Sequence, residues 1–306
     1  MSDFVNNGWS LFVAAATVVS LVACLVLLAI AAKRKVIPND PTTGHVWDED
    51  LREYNNPLPR WWMGLFIITV VFSGGYLLLY PGLGSMQGTL NWSSTGQHEA
   101  EVQAARTAMA PVYAKFAAMP AAELARDEQA MGIGERLFLN NCAGCHGSDA
   151  RGSKGFPDLT DNDWLYGGAP ERIEETITKG RTGMMPPMAA AIGNAEDARN
   201  VAQYVLSLSG GPHNNLAAEL GKAKFVACGA CHGLDGKGNQ QLGAPNLTDK
   251  VWLHGWGEEA IIAMINNGKT NVMPAHGERL APEQIHVLAA YVWSKSNAVV
   301  RAKALQ

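Results

Sequence analysis

The sequence predicts an all-α protein in which two N-terminal transmembrane helices precede a helical unit that occurs twice. Three observations carry that expectation. Two apolar runs, 11–32 and 61–80, are each long enough to cross a bilayer. Residues 131–210 and 211–306 carry the same motifs in the same order. Within both copies apolar residues return at helical spacing, without the alternation that a strand needs.

Composition narrows the function. The 306 residues suit two small domains or one large one, and a net charge of −4 offers no electrostatic footprint for nucleic acid. Hydrophobic content, 47%, is ordinary for a globular protein, but much of it is gathered in the two N-terminal runs.

The first run, "LFVAAATVVSLVACLVLLAIAA", holds no charge. As a helix it spans about 33 Å, against a hydrocarbon core of about 30 Å. Cys24 inside it reads as a small hydrophobe. The second run, "WWMGLFIITVVFSGGYLLLY", has Trp61 and Trp62 at one end and Tyr80 at the other, as interfacial anchors would be placed. Gly74 and Gly75 either admit a neighbouring helix or are simply tolerated. A cleaved signal sequence would carry positive charge ahead of its apolar stretch. Here Asp3 precedes the run and Lys33, Arg34 and Lys35 follow it, so 1–32 is read as a short tail and a retained helix. The basic residues flanking the spans, Lys33, Arg34, Lys35, Arg52 and Arg60, all fall in 33–60, and the next one is Arg106. Positive-inside asymmetry then makes 33–60 a cytoplasmic loop and puts both termini in the periplasm of a bacterial inner membrane. Residues 81–130, alanine-rich from Glu99 to Gln129, read as a linker and helical spacer.

The exported part repeats itself. "FPDLTDNDWLYGG" (156–168) matches "APNLTDKVWLHGW" (244–256), and "KGRTGMMPPM" (179–188) matches "NGKTNVMPAHG" (267–277). His146 and His232 stand 86 positions apart, whereas Pro157 and Pro245, like Met185 and Met273, stand 88 apart. One two-residue insertion reconciles them. "APERIEETITKG" and "EEAIIAMINNG" each close on a glycine suited to a helix C-terminus. "SGGPHNN" (209–215) marks the boundary between copies. Each copy is small and poor in large side chains, so it needs a staple to hold a core.

That staple is indicated by "CAGCH" and "CGACH". Cys142, Cys145, Cys228 and Cys231 could form disulfides, a four-thiolate zinc site, or the thioether bonds of two c-type haems. Zinc would leave His146 and His232 without a purpose, and redox disulfides of the thioredoxin kind want a βαβ context that is absent. Cys-x-x-Cys-His, in register in both copies, favours two covalently attached haem c groups, with His146 and His232 turned onto the irons.

Each iron then needs a sixth ligand. Methionine thioether favours ferrous iron and raises the potential, as electron-transfer cytochromes require. Met273 is the candidate in the second copy; in the first, alignment on Gly180 and Gly268 selects Met185 over Met184 and Met188. Spacing leaves open whether each methionine serves the haem of its own copy or of the other. Trp164 and Trp252 either line haem edges or fill cores, and Arg181 and Lys269 read as solvated charges that could reach propionates. His45, His98, His213, His254, His276 and His286 share no register and read as structural or exposed.

Two resemblances follow from these motifs. Each copy resembles a class I cytochrome c, so the fold expected is two tandem domains of that type. Pro157 and Pro245 occupy the place of the proline whose carbonyl accepts a hydrogen bond from the axial histidine. "EYNNPLPRWW" (53–62), ahead of a transmembrane helix and two Cys-x-x-Cys-His units, resembles the dihaem subunit III of cbb3-type cytochrome c oxidases. That resemblance implies electron transfer from a periplasmic cytochrome c, through two haems, toward a monohaem subunit and a catalytic haem-copper subunit. No oxygen-reducing site is expected in this chain. A membrane-anchored dihaem shuttle outside any oxidase shares every haem residue, and a dihaem peroxidase would need one open iron.

Overall fold

A computed structural model describes residue 4 and residues 6–33 and 39–297. Asp3, Arg34 and Lys35, which enter the orientation argument, lie outside the described residues. The chain divides into two compact units, Met1–Ala108 and Met109–Gln306.

In the first unit, helices α1 (Asn7–Ala32) and α2 (Arg60–Leu79) are the candidate spans, with mean hydropathies of 2.8 and 2.0 over their most apolar windows. The Asn6 side chain caps α1 by accepting from the Trp9 N–H. Neither helix has a buried residue, as expected of surfaces meant for lipid or for other spans. Strands β1 (Thr42–Trp47) and β2 (Leu51–Tyr54) form an antiparallel hairpin in the predicted loop. Asp48 and Glu49 turn it with positive φ, where Asn-Gly would have been the legible signal. Glu53 on β2 accepts from the Trp47 indole at 3.0 Å and so ties the strands together.

The second unit opens inside α3 (Ser94–Ala117), whose residues from Met109 belong to it, and α4 (Ala121–Leu124) follows. The first copy then supplies α5 (Glu128–Asn141), α6 (Ala143–His146), α7 (Pro170–Lys179), β3 (Arg181–Met185), α8 (Ala189–Ile192) and α9 (Ala195–Leu208). The second supplies α10 (Asn215–Phe225), α11 (Gly229–His232), α12 (Glu258–Asn267), β4 (Lys269–Met273) and α13 (Pro282–Ser296). The protein is mainly helical, as expected. The two five-residue strands of this unit, β3 and β4, are too short and too mixed to alternate visibly, and each is defined by its partner.

The packed halves are not cut where the sequence copies are. One core joins Phe138 of α5 and Ile173 and Ile177 of α7 to Ile285, Leu288 and Tyr291 of α13. The other joins Val201 and Val205 of α9 to Phe225 of α10 and Ile261 and Ile265 of α12. Each copy therefore lends its last helix to the other. The continuous half runs from Met188 to the end of α12, and the split half is assembled from either side of it. Helix crossings rest on glycine in both: a Cβ on Gly134 would lie 2.6 Å from the Tyr291 Cβ, and one on Gly221 would lie 2.0 Å from the Asn200 carbonyl oxygen. The chain passes between halves along β3 and returns along β4, paired antiparallel from Arg181↔Met273 to Met185↔Lys269.

The segment expected to be a spacer is docked from Met109 onward. Met109, Val112, Tyr113 and Phe116 recur on one face of α3, and Phe116 and Leu124 are fully buried against Ile133, Val287 and Ala290.

Candidate haem-binding centres

In each copy, α5 or α10 leads straight into the cysteine pair. The one-turn helix that follows ends at Gly147 (φ 77°) or Gly233 (φ 75°). That turn buries His146 and His232, each less than a tenth exposed. The His146 Nδ1–H donates to the Pro157 carbonyl at 3.0 Å, and the His232 Nδ1–H donates to the Pro245 carbonyl at 3.0 Å. A carbonyl can only accept, so the proton sits on Nδ1 and Nε2 keeps its lone pair. Burial lowers both imidazole pKa values, against the raising effect of the proline bond. Both rings are thus neutral and aimed, the state that binds a metal.

The turns that carry the proline carbonyls close on two glycines that no motif singles out. Gly152 and Gly238 donate to the histidine carbonyls, each at 2.7 Å, with φ of 66° and 80°. A Cβ on Gly152 would stand 2.5 Å from the Pro157 oxygen, and one on Gly238 would stand 2.7 Å from the Pro245 oxygen. Their spacing of 86, equal to that of the histidines, was the available signal. Beyond each proline, Asp158 and Asn246 accept from the backbone N–H and hydroxyl of Thr160 and Thr248, closing matching turns. The prolines therefore belong both to turn chemistry and to the histidine contact.

None of the four motif cysteines is joined in a disulfide. Burial, with the neighbouring cysteine, pushes the Cys142 thiol up to about 11 and raises that of Cys228. Cys142 borders the split core and Cys228 the continuous core. The pairs do not converge, and among the described residues no three metal-ligating side chains gather into one cluster, which removes the four-thiolate zinc reading. Two separate sets, each of two thiols and one aimed imidazole, fit covalently held haem.

The methionines lie across the repeat. Met273 packs against the split core, which Cys142 and Trp164 of the first copy also border. Met185 ends β3 where the chain enters the continuous half: its carbonyl lies 2.5 Å from where a Gly268 Cβ would be, and the Met188 N–H donates to the Ile265 carbonyl at 2.8 Å. The exchange is symmetric, because Gly180 faces the Met273 carbonyl in the same way and the His276 N–H donates to Ile177. Met184 is 72% exposed, whereas Met188 packs on the continuous core.

Trp164 and Trp252 border the two cores. Arg181 is bound by Glu175 and Thr176 and lies 5.0 Å from the centre of the Tyr166 ring, whose buried hydroxyl has no partner. His254 meets Asn271 at 2.8 Å, His213 bonds the Gly211 carbonyl, and buried His276 bonds the Pro274 carbonyl.

Comparison with known families matches two descriptions. "N-terminal domain of cytochrome oxidase-cbb3, FixP" covers residues 39–87. "Cytochrome C oxidase, cbb3-type, subunit III" covers 129–205 and 217–292. The chain is 68% identical to the cbb3-type cytochrome c oxidase subunit CcoP of Rubrivivax gelatinosus, over 97% of each chain. It is 40% identical to subunit FixP of Azorhizobium caulinodans, over 82% of this chain and 91% of the relative. It is 35% identical to subunit CcoP of Cereibacter sphaeroides, over 82% of this chain and 93% of the relative.

Proposed function

The chain belongs to the family of cbb3-type cytochrome c oxidase subunit III, and from that premise we propose the ligand sets, partners and orientation through which it carries electrons. It is a dihaem electron-transfer subunit of a membrane-bound oxidoreductase complex, with two covalently attached haem c groups in two class I cytochrome c domains. When bound, each haem supplies a one-electron ferric/ferrous couple.

One haem would be held by Cys142 and Cys145, with His146 and Met273 as ligands to its iron. The other would be held by Cys228 and Cys231, with His232 and Met185. The observation that supports this crossed pairing is the exchange of β3 and β4 between halves, with Met273 on the core that Cys142 borders and Met185 running toward α12. The proline carbonyls hold the Nδ1 protons and strengthen the imidazoles as donors. With an imidazole and a thioether offered to each haem, these residues would suit electron transfer rather than binding of oxygen or peroxide.

Electrons arrive from a periplasmic cytochrome c and pass to the monohaem subunit and then to the catalytic haem-copper subunit. The haem unit faces the periplasm of a bacterial inner membrane, the spans lie in lipid, and 33–60 is cytoplasmic. The deciding experiment is pyridine haemochrome stoichiometry on the detergent-extracted complex, with identification of its subunits. Two haem c per copy of this chain, together with a copper-containing subunit, is the expected result. Solitary migration would support a free shuttle instead, and rapid binding of carbon monoxide at one c-type haem would support a peroxidase.

A further inference from the structure

His286 has no counterpart in the repeat, since α9 carries Arg199 at the equivalent place. Its ring on α13 lies between two acceptors. Nδ1 contacts the Glu174 carboxylate of α7, and Nε2 lies 2.9 Å from the Met119 carbonyl, in the turn between α3 and α4. A neutral imidazole has one N–H and cannot donate to both. The bridge as built therefore holds one proton more than a neutral ring beside an ionised carboxylate.

We propose that His286, Glu174 and the Met119 carbonyl form a proton-operated latch that fastens the docked segment, from Met109 to Ala130, onto α13. With the proton present, both ring nitrogens donate. When it leaves to solvent, a nitrogen lone pair faces an oxygen lone pair, and one of the two contacts is lost. The apolar contacts of Phe116 and Leu124 remain, so release loosens the segment and does not unfold the unit.

The charges around the ring are few. α7 presents Glu174 and the Met119 turn presents only a carbonyl; Lys115 of α3 is paired with Asp127 at 2.8 Å, and α4 carries Glu123. Burial alone would lower the pKa of His286, but the Met119 bond and the hydrogen bond and charge of Glu174 outweigh it, and the net direction is upward. The sign follows. A raised histidine pKa gives a contribution fully present below about 6.5, the unfolded value, and lost as pH rises through the folded value. The latch is closed in acid and opens in alkali.

Hydrogen–deuterium exchange on the haem-loaded full chain in detergent, from pH 5.5 to 9 and corrected for intrinsic rates, tests this. The reporters are the Met119, Glu123, Leu124 and Ala125 amides, which donate within the segment. In the wild type their protection falls about tenfold across the titration, while α9 amides do not change. Glu174→Gln keeps the latch closed at all pH, because an amide N–H can donate to an unprotonated Nδ1 while Nε2–H still serves Met119. His286→Phe leaves it open at all pH. Equal wild-type protection throughout, or a pH step that survives in Glu174→Gln, overturns the proposal.

Discussion

Replacing Gly152 by alanine tests how His146 is held. At φ 66° an alanine costs about 1–2 kcal/mol over glycine. Its Cβ would also stand 2.2 Å from the Phe156 oxygen and 2.5 Å from the Pro157 oxygen. Ordinary carbon contact needs about 3.5 Å, so these carbonyls must retreat by roughly 1 Å. The 3.0 Å bond from His146 does not survive such a retreat, which adds about 0.5–1.5 kcal/mol. The total is about 1.5–3.5 kcal/mol of stability. A freed imidazole donates less strongly to ferric iron, so the potential of that haem rises. If about 0.5–1 kcal/mol of the lost bond appears in the ferric–ferrous difference, the rise is about 20–40 mV. The assay is a spectroelectrochemical titration of the complex beside denaturant unfolding of the haem-loaded chain. Gly210→Ala is the control: φ is 69° but the space is open, so it costs the conformational part alone and moves no potential. If Gly152→Ala behaves as Gly210→Ala does, the carbonyl clamp is refuted.

Three further outcomes follow from the same geometry. Gly152→Ala and Met273→Leu should move one component of the redox titration, and Gly238→Ala and Met185→Leu the other; if Gly152→Ala shares a component with Met185→Leu, the crossed ligand sets are wrong. Gly221→Ala, whose Cβ would press the Asn200 carbonyl from 2.0 Å, should cost about 1–3 kcal/mol. Because the halves exchange helices, the absorbance changes of both haems in that variant should share one denaturant midpoint; separated midpoints would mean that the halves unfold independently. Burial, with Asp249 and Asp161 beside it, raises the Asp163 carboxyl to about 6. Its ionisation therefore costs stability above pH 6 and nothing below the unfolded value of about 3.9. Asp163→Asn should gain on the order of 1 kcal/mol at pH 7.5, after screening of a half-buried group, and gain nothing near pH 3.5 in unfolding measurements.

The spans and the cysteine motifs were legible because length and spacing are themselves the physical requirement: a bilayer demands its run of apolar residues, and thioether attachment demands Cys-x-x-Cys-His. The docked segment was partly legible, since Met109, Val112, Tyr113 and Phe116 recur at helical spacing, but alanine around them diluted the stripe. The hairpin was hidden because Asp48 and Glu49 take positive φ without the residues that usually announce it. His286 was set aside for lack of register, and that lack has a cause: its partner Met119 lies in a segment that occurs once. Gly152 and Gly238 were hidden among many glycines in loops, until a Cβ at either one was seen to strike the carbonyl that aims the histidine.

The crossed packing did leave a trace, in the boundary between the copies. Only six residues, Ser209 to Asn214, join α9 to α10. A connection so short makes its two helices antiparallel neighbours and prevents α9 from folding back across a whole domain onto α5. Once α9 is committed to α10, the face of α5 around Gly134 is left for α13, the helix with the matching pattern. The chain must then pass out of the split half and return, and the two passages meet as β3 and β4. Each passage ends in a methionine, so the short linker that divides the copies also decides on which half each methionine lies.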